Sequence, residues 1–527
     1  MEKRLIHILC VFIIIMFVLT IRIAILQIYP SKNVQSSYQN HQLENVCDMK
    51  YNIYDTNGDN LIKYKKKCVL VIDAKPFRLN NYEETLQDLM TFNFIMKEED
   101  ADFSYSNVMK ENGKLYYPIS EDTYSKIKNL KNIKGIYVYE VEQSDIKYAW
   151  SIGSIFSKIL ESEHENNSIE EELYEYLKNN ETPKEEFYLD EKAIYSKANF
   201  IISKNNKNIQ LTIDNNITEK VQEILNDDEY DKLKNIGVII LESDTGKIRV
   251  MAQKDESQAN INLGMQQIGY EPGSIYKVIT LSSALEKGLI NVNDKYNCKG
   301  HICKTSHGSI SVERAFEKSC NDIFAQIGAK VGYDDLMDYS GQLGLYKRIL
   351  GFKDSDKNES IGLKPEEEAG LNNISIGQCM NVTPLQMAGA INTIVNNGVY
   401  VKPFIIEAVL DKDNKIVKRI ETEKNRVYSE ITSKIVRKAM RNVVLKGTGV
   451  KAGINGINIG GKTGSATGSD KKTHGWFAGY FPYKNKSYTM VVFAPELEGI
   501  DENNEEAGGG NTAAPIFGKI VKNINKQ

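Results

Sequence analysis

The sequence predicts an α+β protein, an antiparallel sheet with segregated helices, preceded by an elongated N-terminal pedestal domain and one transmembrane helix. Three observations lead there. The chain has 527 residues, too many for one hydrophobic core, so two or three domains are expected. From Ile209 onward the apolar pattern runs through strands, then helices, then strands, the order of an α+β domain. Residues 5–21 form an almost unbroken apolar run behind Lys3 and Arg4.

That run holds His7 and Thr20 as its only polar side chains; Arg22 interrupts it, and residues 23–28 resume it. A helix of about 20 such residues spans a bilayer. Arg22 can snorkel to the interface, and Tyr29 suits an aromatic belt. The basic flank puts the N-terminus in the cytoplasm and the bulk of the chain outside. A cleaved signal peptide would need a small-x-small site, and Arg22–Ile23–Ala24–Ile25–Leu26 offers none. Residues 1–29 are thus expected to be a cytoplasmic stub and single-pass anchor in the cell membrane, with the remainder extracellular.

Residues 30–208 are rich in Asn, Lys, Glu and Tyr, poor in Gly, and carry no catalytic constellation; they read as the pedestal. Residues 68–73 alternate as a strand does, and Asp55–Thr–Asn–Gly58 marks a turn. The acidic stretch 161–186 suggests a solvated helix or loop. In residues 209–527, strands are expected at 210–214, 236–241, 248–251, 457–459, 475–480 and 488–493. Helices are expected over 217–225, after Ser274 to Lys287, and over 312–331, 383–396 and 513–523. A net charge of -4 gives no electrostatic case for nucleic acid, and 7 cysteines are too few for a disulfide scaffold in so long a chain. Cys47 and Cys68 are the pair whose location would allow a bridge.

The chemistry begins at Pro272–Gly273–Ser274–Ile–Tyr–Lys277. Ser274 would open a helix, and Lys277, three residues on, shares its face. A serine hydroxyl needs a neighbouring base, and lysine is one when burial or another cation depresses its pKa. Alone the pattern is weak, since Ser125/Lys128, Ser144/Lys147 and Ser469/Lys472 share it. Two further elements raise it. Ser319–Cys–Asn321 supplies a second hydroxyl to relay protons and an amide to hold a peptide; alone it would read as an ordinary helix cap. Gly461–Lys462–Thr463–Gly464–Ser465 supplies a second lysine, which depresses the first and attracts a carboxylate, between glycines that let an extended peptide approach.

Ser-x-x-Lys, Ser-x-Asn and Lys-Thr-Gly together resemble the signature of penicillin-binding proteins and serine β-lactamases. Across residues 209–527 the chain resembles class B penicillin-binding proteins, the monofunctional transpeptidases of peptidoglycan synthesis. The likeness includes Tyr270–Glu–Pro–Gly–Ser–Ile–Tyr–Lys277, Asn321–Asp–Ile–Phe–Ala–Gln–Ile–Gly328, Ile374–Ser–Ile–Gly–Gln378 with Thr383–Pro–Leu–Gln386, His474–Gly–Trp–Phe–Ala–Gly–Tyr480 and Ala513–Ala–Pro–Ile–Phe517. Lys50–Tyr–Asn–Ile–Tyr–Asp–Thr–Asn–Gly58 matches more loosely, departing at Lys50, Tyr51 and Thr56. The resemblance implies a transpeptidase fold and a D,D-transpeptidase acting on the D-Ala-D-Ala ends of stem peptides through a serine acyl-enzyme, acylated also by β-lactams. It implies Ser274 as nucleophile, Lys277 as base and Ser319 and Asn321 as relay and orienting groups. Lys462 and Thr463 would bind the terminal carboxylate, and the N–H groups of Ser274 and Ser465 the oxyanion. A membrane glycan polymerase is the implied partner. A β-lactamase shares the three motifs but not the large N-terminal region, and a non-catalytic β-lactam sensor or scaffold would not need them intact. The chemistry needs no cofactor.

Cys298–Lys–Gly–His–Ile–Cys303 with His307 lies within loose zinc spacing, with Asp294 as a further oxygen ligand. A structural zinc would order a loop with little apolar content of its own; the bland alternative is packed, reduced cysteines. Cys320 and Cys379 fall in the active-site motifs and are expected near each other.

Overall fold

The structure, a computed structural model, describes residues 12–24, 40–161, 163–303, 305–355, 357–467, 472–498 and 507–526. They pack as two compact units. One draws on Met1–Lys50, Tyr64–Asp145 and Asn180–Lys204, the other on Tyr51–Lys63, Ile146–Asn179 and Asn205–Gln527. Residues 51–63 and 146–179, which the sequence groups with the N-terminal half, therefore fold with the C-terminal half. The short strand Ile53–Tyr54 pairs in parallel with Lys207–Leu211, and the Tyr51 hydroxyl donates to the Phe156 carbonyl at 2.7 Å.

The first unit centres on Tyr64–Asp73, flanked antiparallel by Lys114–Ile119 and Ile136–Ser144. Leu70, Ile72, Phe77, Phe92 and Phe103 form its core. A second sheet joins His41–Asn45, Lys184–Leu189 and Tyr195–Ile201. The acidic stretch proves less solvated than expected: Ile169–Leu177 is a helix with Glu170 buried, and its last residues enter the strand Lys184–Leu189. Cys47 and Cys68 do not pair; both are free thiols, and Cys68 is buried within its sheet. Of the expected anchor, residues 12–24 are helical with Phe12, Ile13, Ile14 and Phe17 exposed; residues 1–11 and 25–29 lie outside the described residues. Among the described residues no helix is long and apolar enough to cross a membrane.

The second unit is organised by a five-stranded antiparallel sheet. Its strands are β1 (Gly237–Glu242), β2 (Ile248–Gln253), β3 (Gly460–Thr467), β4 (Thr473–Tyr483) and β5 (Lys486–Leu497), in the order β2-β1-β5-β4-β3. Helices α1 (Asn215–Leu225) and α7 (Ala514–Ile524) share one apolar cluster with this sheet, in which Val221, Val238, Phe477, Val492 and Phe517 are fully buried. Each such side chain contributes about 1.5–3 kcal/mol relative to exposure. The helices that bear on the site are α2 (Lys277–Glu286), α3 (Val312–Glu317), α4 (Asn321–Val331), α5 (Pro384–Val395) and α6 (Glu430–Lys446). α5 opens with a capping box, Thr383 to the Gln386 N–H and Gln386 back to Thr383.

Two boundaries differ from the sequence pattern in ways that matter. The strand expected at 457–459 begins at Gly460, so Lys-Thr-Gly is itself the strand, and it forms the sheet edge. The helix expected over 312–331 is broken between α3 and α4 by Ser319, whose φ is +54°. The Ser319 N–H returns to the Phe316 carbonyl and the Cys320 N–H to Ala315. That is a Schellman closure with serine in the left-handed position where glycine is usual, which is why periodicity alone runs through it.

Candidate active site

Ser274 sits in a 3₁₀ turn, Gly273–Tyr276, that runs directly into α2. The turn is pressed against β3. A Cβ on Gly464 would lie 2.7 Å from the Pro272 carbonyl, and one on Gly273, at φ +52°, 2.7 Å from the Ser465 carbonyl. Glycine at both positions lets the turn and the strand touch backbone to backbone. The Gly273 N–H donates to Gly377 O at 2.9 Å. Trp476 Nε1 donates to Glu271 O at 3.0 Å, and the Glu271 carboxylate accepts the Cys379 N–H at 2.8 Å.

Lys277 and Lys462 are both fully buried and converge on Ser319. Lys277 Nζ donates to Ser319 O and Asn321 Oδ1, each at 2.6 Å, and lies 3.2 Å from Ser319 Oγ. Lys462 Nζ donates to Ser319 Oγ at 2.9 Å and Thr463 O at 3.0 Å. The aromatic faces of Phe324 and Phe316 lie 5.6 and 5.8 Å from the two amines. Burial pushes the pKa of Lys277 down to about 7, opposed by Cys320 and Cys303. Burial, then the charge of Lys277, pushes Lys462 well down. A neutral amine has two N–H groups and one lone pair. The two short contacts of Lys277 to obligate acceptors use both N–H groups and leave the lone pair for a hydroxyl proton. Thr463 Oγ1 is held by Thr448 Oγ1 at 2.6 Å, and Ser465 Oγ accepts the Gly509 N–H at 3.0 Å. Thr448 and Gly509 carry no sequence motif and are found only by proximity.

The structure thus brings Lys277, Ser319, Asn321, Lys462 and Thr463 into one network, with Ser274 and Gly464–Ser465 in the turn and strand that adjoin it. The competing Ser-x-x-Lys pair Ser125/Lys128 sits on the exposed face of a surface helix.

A second cluster abuts this site. Cys298, Cys303, His307 and Cys320 point their ligand atoms to within 4.8 Å of one another. Cys298 ends one strand of a hairpin (Lys295–Cys298 with Gly308–Ser311), and His307 precedes the other. Cys298 Sγ lies 3.4 Å from His307 Nδ1, and Cys303 Sγ 3.7 Å from Cys320 Sγ. A tetrahedron with Zn–S of about 2.3 Å and Zn–N of about 2.0–2.1 Å has S···N edges of about 3.5 Å and S···S edges of about 3.7 Å, so the donor set fits. Asp294, expected as a further oxygen ligand, is not in this cluster: its carboxylate accepts the Asn291 N–H at 2.7 Å, closing a turn, and the fourth candidate ligand atom is the Cys320 thiol. Cys379 is exposed and stands apart from Cys320's cluster. Asp322, which the sequence does not single out, accepts the N–H groups of Gly300, His301 and Ile302 at 2.7, 3.1 and 2.8 Å and so shapes the ligand loop. Burial pushes its carboxyl up, but these N–H groups outweigh that and hold it below its ordinary value.

Residues 236–522 match the family model for the penicillin binding protein transpeptidase domain. The chain therefore belongs to the penicillin-binding-protein transpeptidase family, and within it to class B. It is 27% identical to stage V sporulation protein D of Bacillus subtilis over 99% of this chain and 85% of that protein. It is 29% identical to penicillin-binding protein PbpB of Mycolicibacterium smegmatis over 59% of this chain and 53% of that one. It is 27% identical to the peptidoglycan D,D-transpeptidase FtsI of Escherichia coli over 60% and 56%. The matched region spans about half the length of these last two. Among solved structures, penicillin binding protein 3 of Mycobacterium tuberculosis complexed with aztreonam superposes with a TM-score of 0.60 at 20% identity, covering 91% of this chain and 96% of that one. That likeness speaks to the fold.

Proposed function

We propose that this protein is a peptidoglycan D,D-transpeptidase in which Ser274 is the nucleophile and Lys277 its base. The observation that carries the reading is the burial of two lysines on one serine hydroxyl, Ser319 Oγ, beside the Ser274 turn. Ser274 Oγ attacks the carbonyl of the penultimate D-Ala of a stem peptide, and its proton passes to the free amine of Lys277. The negative charge on the carbonyl oxygen is met by the N–H groups of Ser274 and Ser465. Collapse expels the terminal D-Ala, whose amine takes a proton relayed through Ser319 Oγ. Lys462 and Thr463 hold the terminal carboxylate, and Asn321 orients the peptide. The amine of a neighbouring stem peptide then attacks the ester, and Ser274 leaves with its proton restored. A β-lactam follows the first half of this path and leaves Ser274 acylated.

Cys298, Cys303, His307 and Cys320 would hold a structural zinc, and because Cys320 lies between Ser319 and Asn321, its ligation would fix the loop that carries both. Residues 1–29 anchor the chain in the cell membrane with the catalytic unit outside, and a membrane glycan polymerase is its partner. The apolar run of residues 5–21 and the class B likeness support that reading. The test is mass spectrometry after incubation with a β-lactam. An adduct on the peptide that contains Ser274, together with exchange of D-Ala in a D-Ala-D-Ala substrate, is expected. An adduct elsewhere, or none, would overturn it.

A further inference from the structure

A cavity of about 670 Å³ that none of these catalytic or thiol groups lines opens between the end of α5, the middle of α6 and the β4–β5 turn. Its charge is one-sided. Arg437, Lys438, Arg441 and Lys486 line it against Asp244 as the single acidic side chain of the lining. Lys486 is already paired with Glu242 at 2.7 Å, a carboxylate that it shares with Arg249. Among the described residues, Arg437 and Arg441 pair with no carboxylate. Each instead donates to a main-chain carbonyl, Arg437 to Val395 O at 2.8 Å and Arg441 to Ile459 O at 2.6 Å. Those bonds fix two guanidinium groups one helical turn apart, half-buried, with donors to spare from the five that each carries. The wall beside them is Tyr480, whose hydroxyl donates to Arg437 O at 3.2 Å. Its ring lies close over Gly460, where a Cβ would meet it at 2.5 Å.

Like charges one turn apart on a helix repel, and immobilising them half-buried raises that cost. A tetrahedral oxyanion removes it, since guanidinium forks match phosphate oxygens in pairs. Asp244 offsets one of the three cations Arg437, Lys438 and Arg441; a singly charged carboxylate would meet only one of the two charges left, whereas a phosphate group, with up to two charges, can meet both. We propose that this cavity binds a phosphate-type oxyanion between Arg437 and Arg441, with Lys438 at its rim. The site is independent of the transpeptidase reading and uses none of its residues.

The experiment is isothermal titration of the full-length, detergent-solubilised protein with inorganic pyrophosphate at constant ionic strength. Saturable binding at sub-millimolar concentration is expected, weakened at least tenfold by Arg441→Gln and severalfold by Lys438→Gln. The Lys438 change guards against a folding artefact, because that side chain is exposed and lines the cavity without an ion pair among the described residues. Acylation of Ser274 by a β-lactam should stay at the wild-type rate in both variants. Displacement of pyrophosphate by a glycerol-phosphate oligomer would identify a phosphodiester polymer as the source; failure to displace it would identify a diphosphate. The proposal is overturned if no saturable heat appears, if both variants bind as the wild type does, or if acetate competes equally well.

Discussion

Lowering the pH should switch off acylation through Lys277. The pKa of this amine is pushed down to about 7 by complete burial, and only its free form can take the Ser274 proton. With a pKa of about 7, the free-base fraction rises about tenfold between about pH 6 and about pH 8, and the acylation rate constant should follow it. The assay is the second-order rate of labelling by a fluorescent β-lactam under pseudo-first-order conditions. The same shift has a thermodynamic signature. Between the folded pKa near 7 and the unfolded value of 10.5, the unfolded chain holds a proton that the native amine lacks, so stability rises with pH across that window; below it the cost of burying the charge is fully present. From about pH 7 to about pH 9 the wild type should gain about 2–3 kcal/mol over a Lys277→Met variant. The lost hydrogen bonds to Ser319 and Asn321 shift the variant by a constant and do not alter that slope. A labelling rate that is flat or falls across this range, or a variant whose stability runs parallel to the wild type, would refute a neutral Lys277.

Lys277→Arg should label at least about a hundredfold more slowly at every pH, because guanidinium does not deprotonate; near-normal labelling would exclude Lys277 as base. Ser274→Ala should abolish covalent labelling while its thermal transition stays at the wild-type temperature, and undiminished labelling would move the nucleophile elsewhere. Elemental analysis of protein purified without a metal-affinity tag should find about one zinc per chain, lost together with several degrees of thermal stability in a Cys298→Ser/Cys303→Ser variant; zinc content near zero in protein never exposed to chelator would dispose of the site. Gly464→Ala would put a methyl group 2.7 Å from the Pro272 carbonyl, so strand and turn must part, at a cost of about 1–3 kcal/mol. Labelling should fall at least tenfold, and a rate within twofold of wild type would show that the close approach is dispensable.

What the sequence determined by itself was the local chemistry. Alternation and helical spacing located β1, β2, β4 and β5 of the central sheet and the helices α1, α2, α5 and α7, because apolar periodicity is a property of neighbouring residues; α6 (Glu430–Lys446) and most of the short peripheral strands were not among the expected elements. The nucleophile motif could be separated from its look-alikes because its partners lie in two other short motifs. Two cysteines and a histidine within ten residues were enough to suggest a metal. Tertiary structure decided whatever depends on contacts distant in the chain. The fourth member of the thiol cluster is Cys320 rather than Asp294, because a Schellman turn swings residue 320 towards the hairpin while Asp294 is consumed closing its own turn. Ser319 adopts a left-handed conformation that its residue type disfavours, held by the closure around it, and this is what puts one hydroxyl within reach of two lysines. Residues 51–63 fold with the C-terminal half through a two-residue strand that pairs with Lys207–Leu211, too short to leave any periodic trace in the sequence, and residues 146–179 join them through single hydrogen bonds such as the Ile169 N–H to the Gly351 carbonyl and His164 to Asp354. The depressed pKa of Lys277 belongs to the same class: the residue is legible in the sequence, but the complete desolvation that makes it a base is produced only by the packing around it.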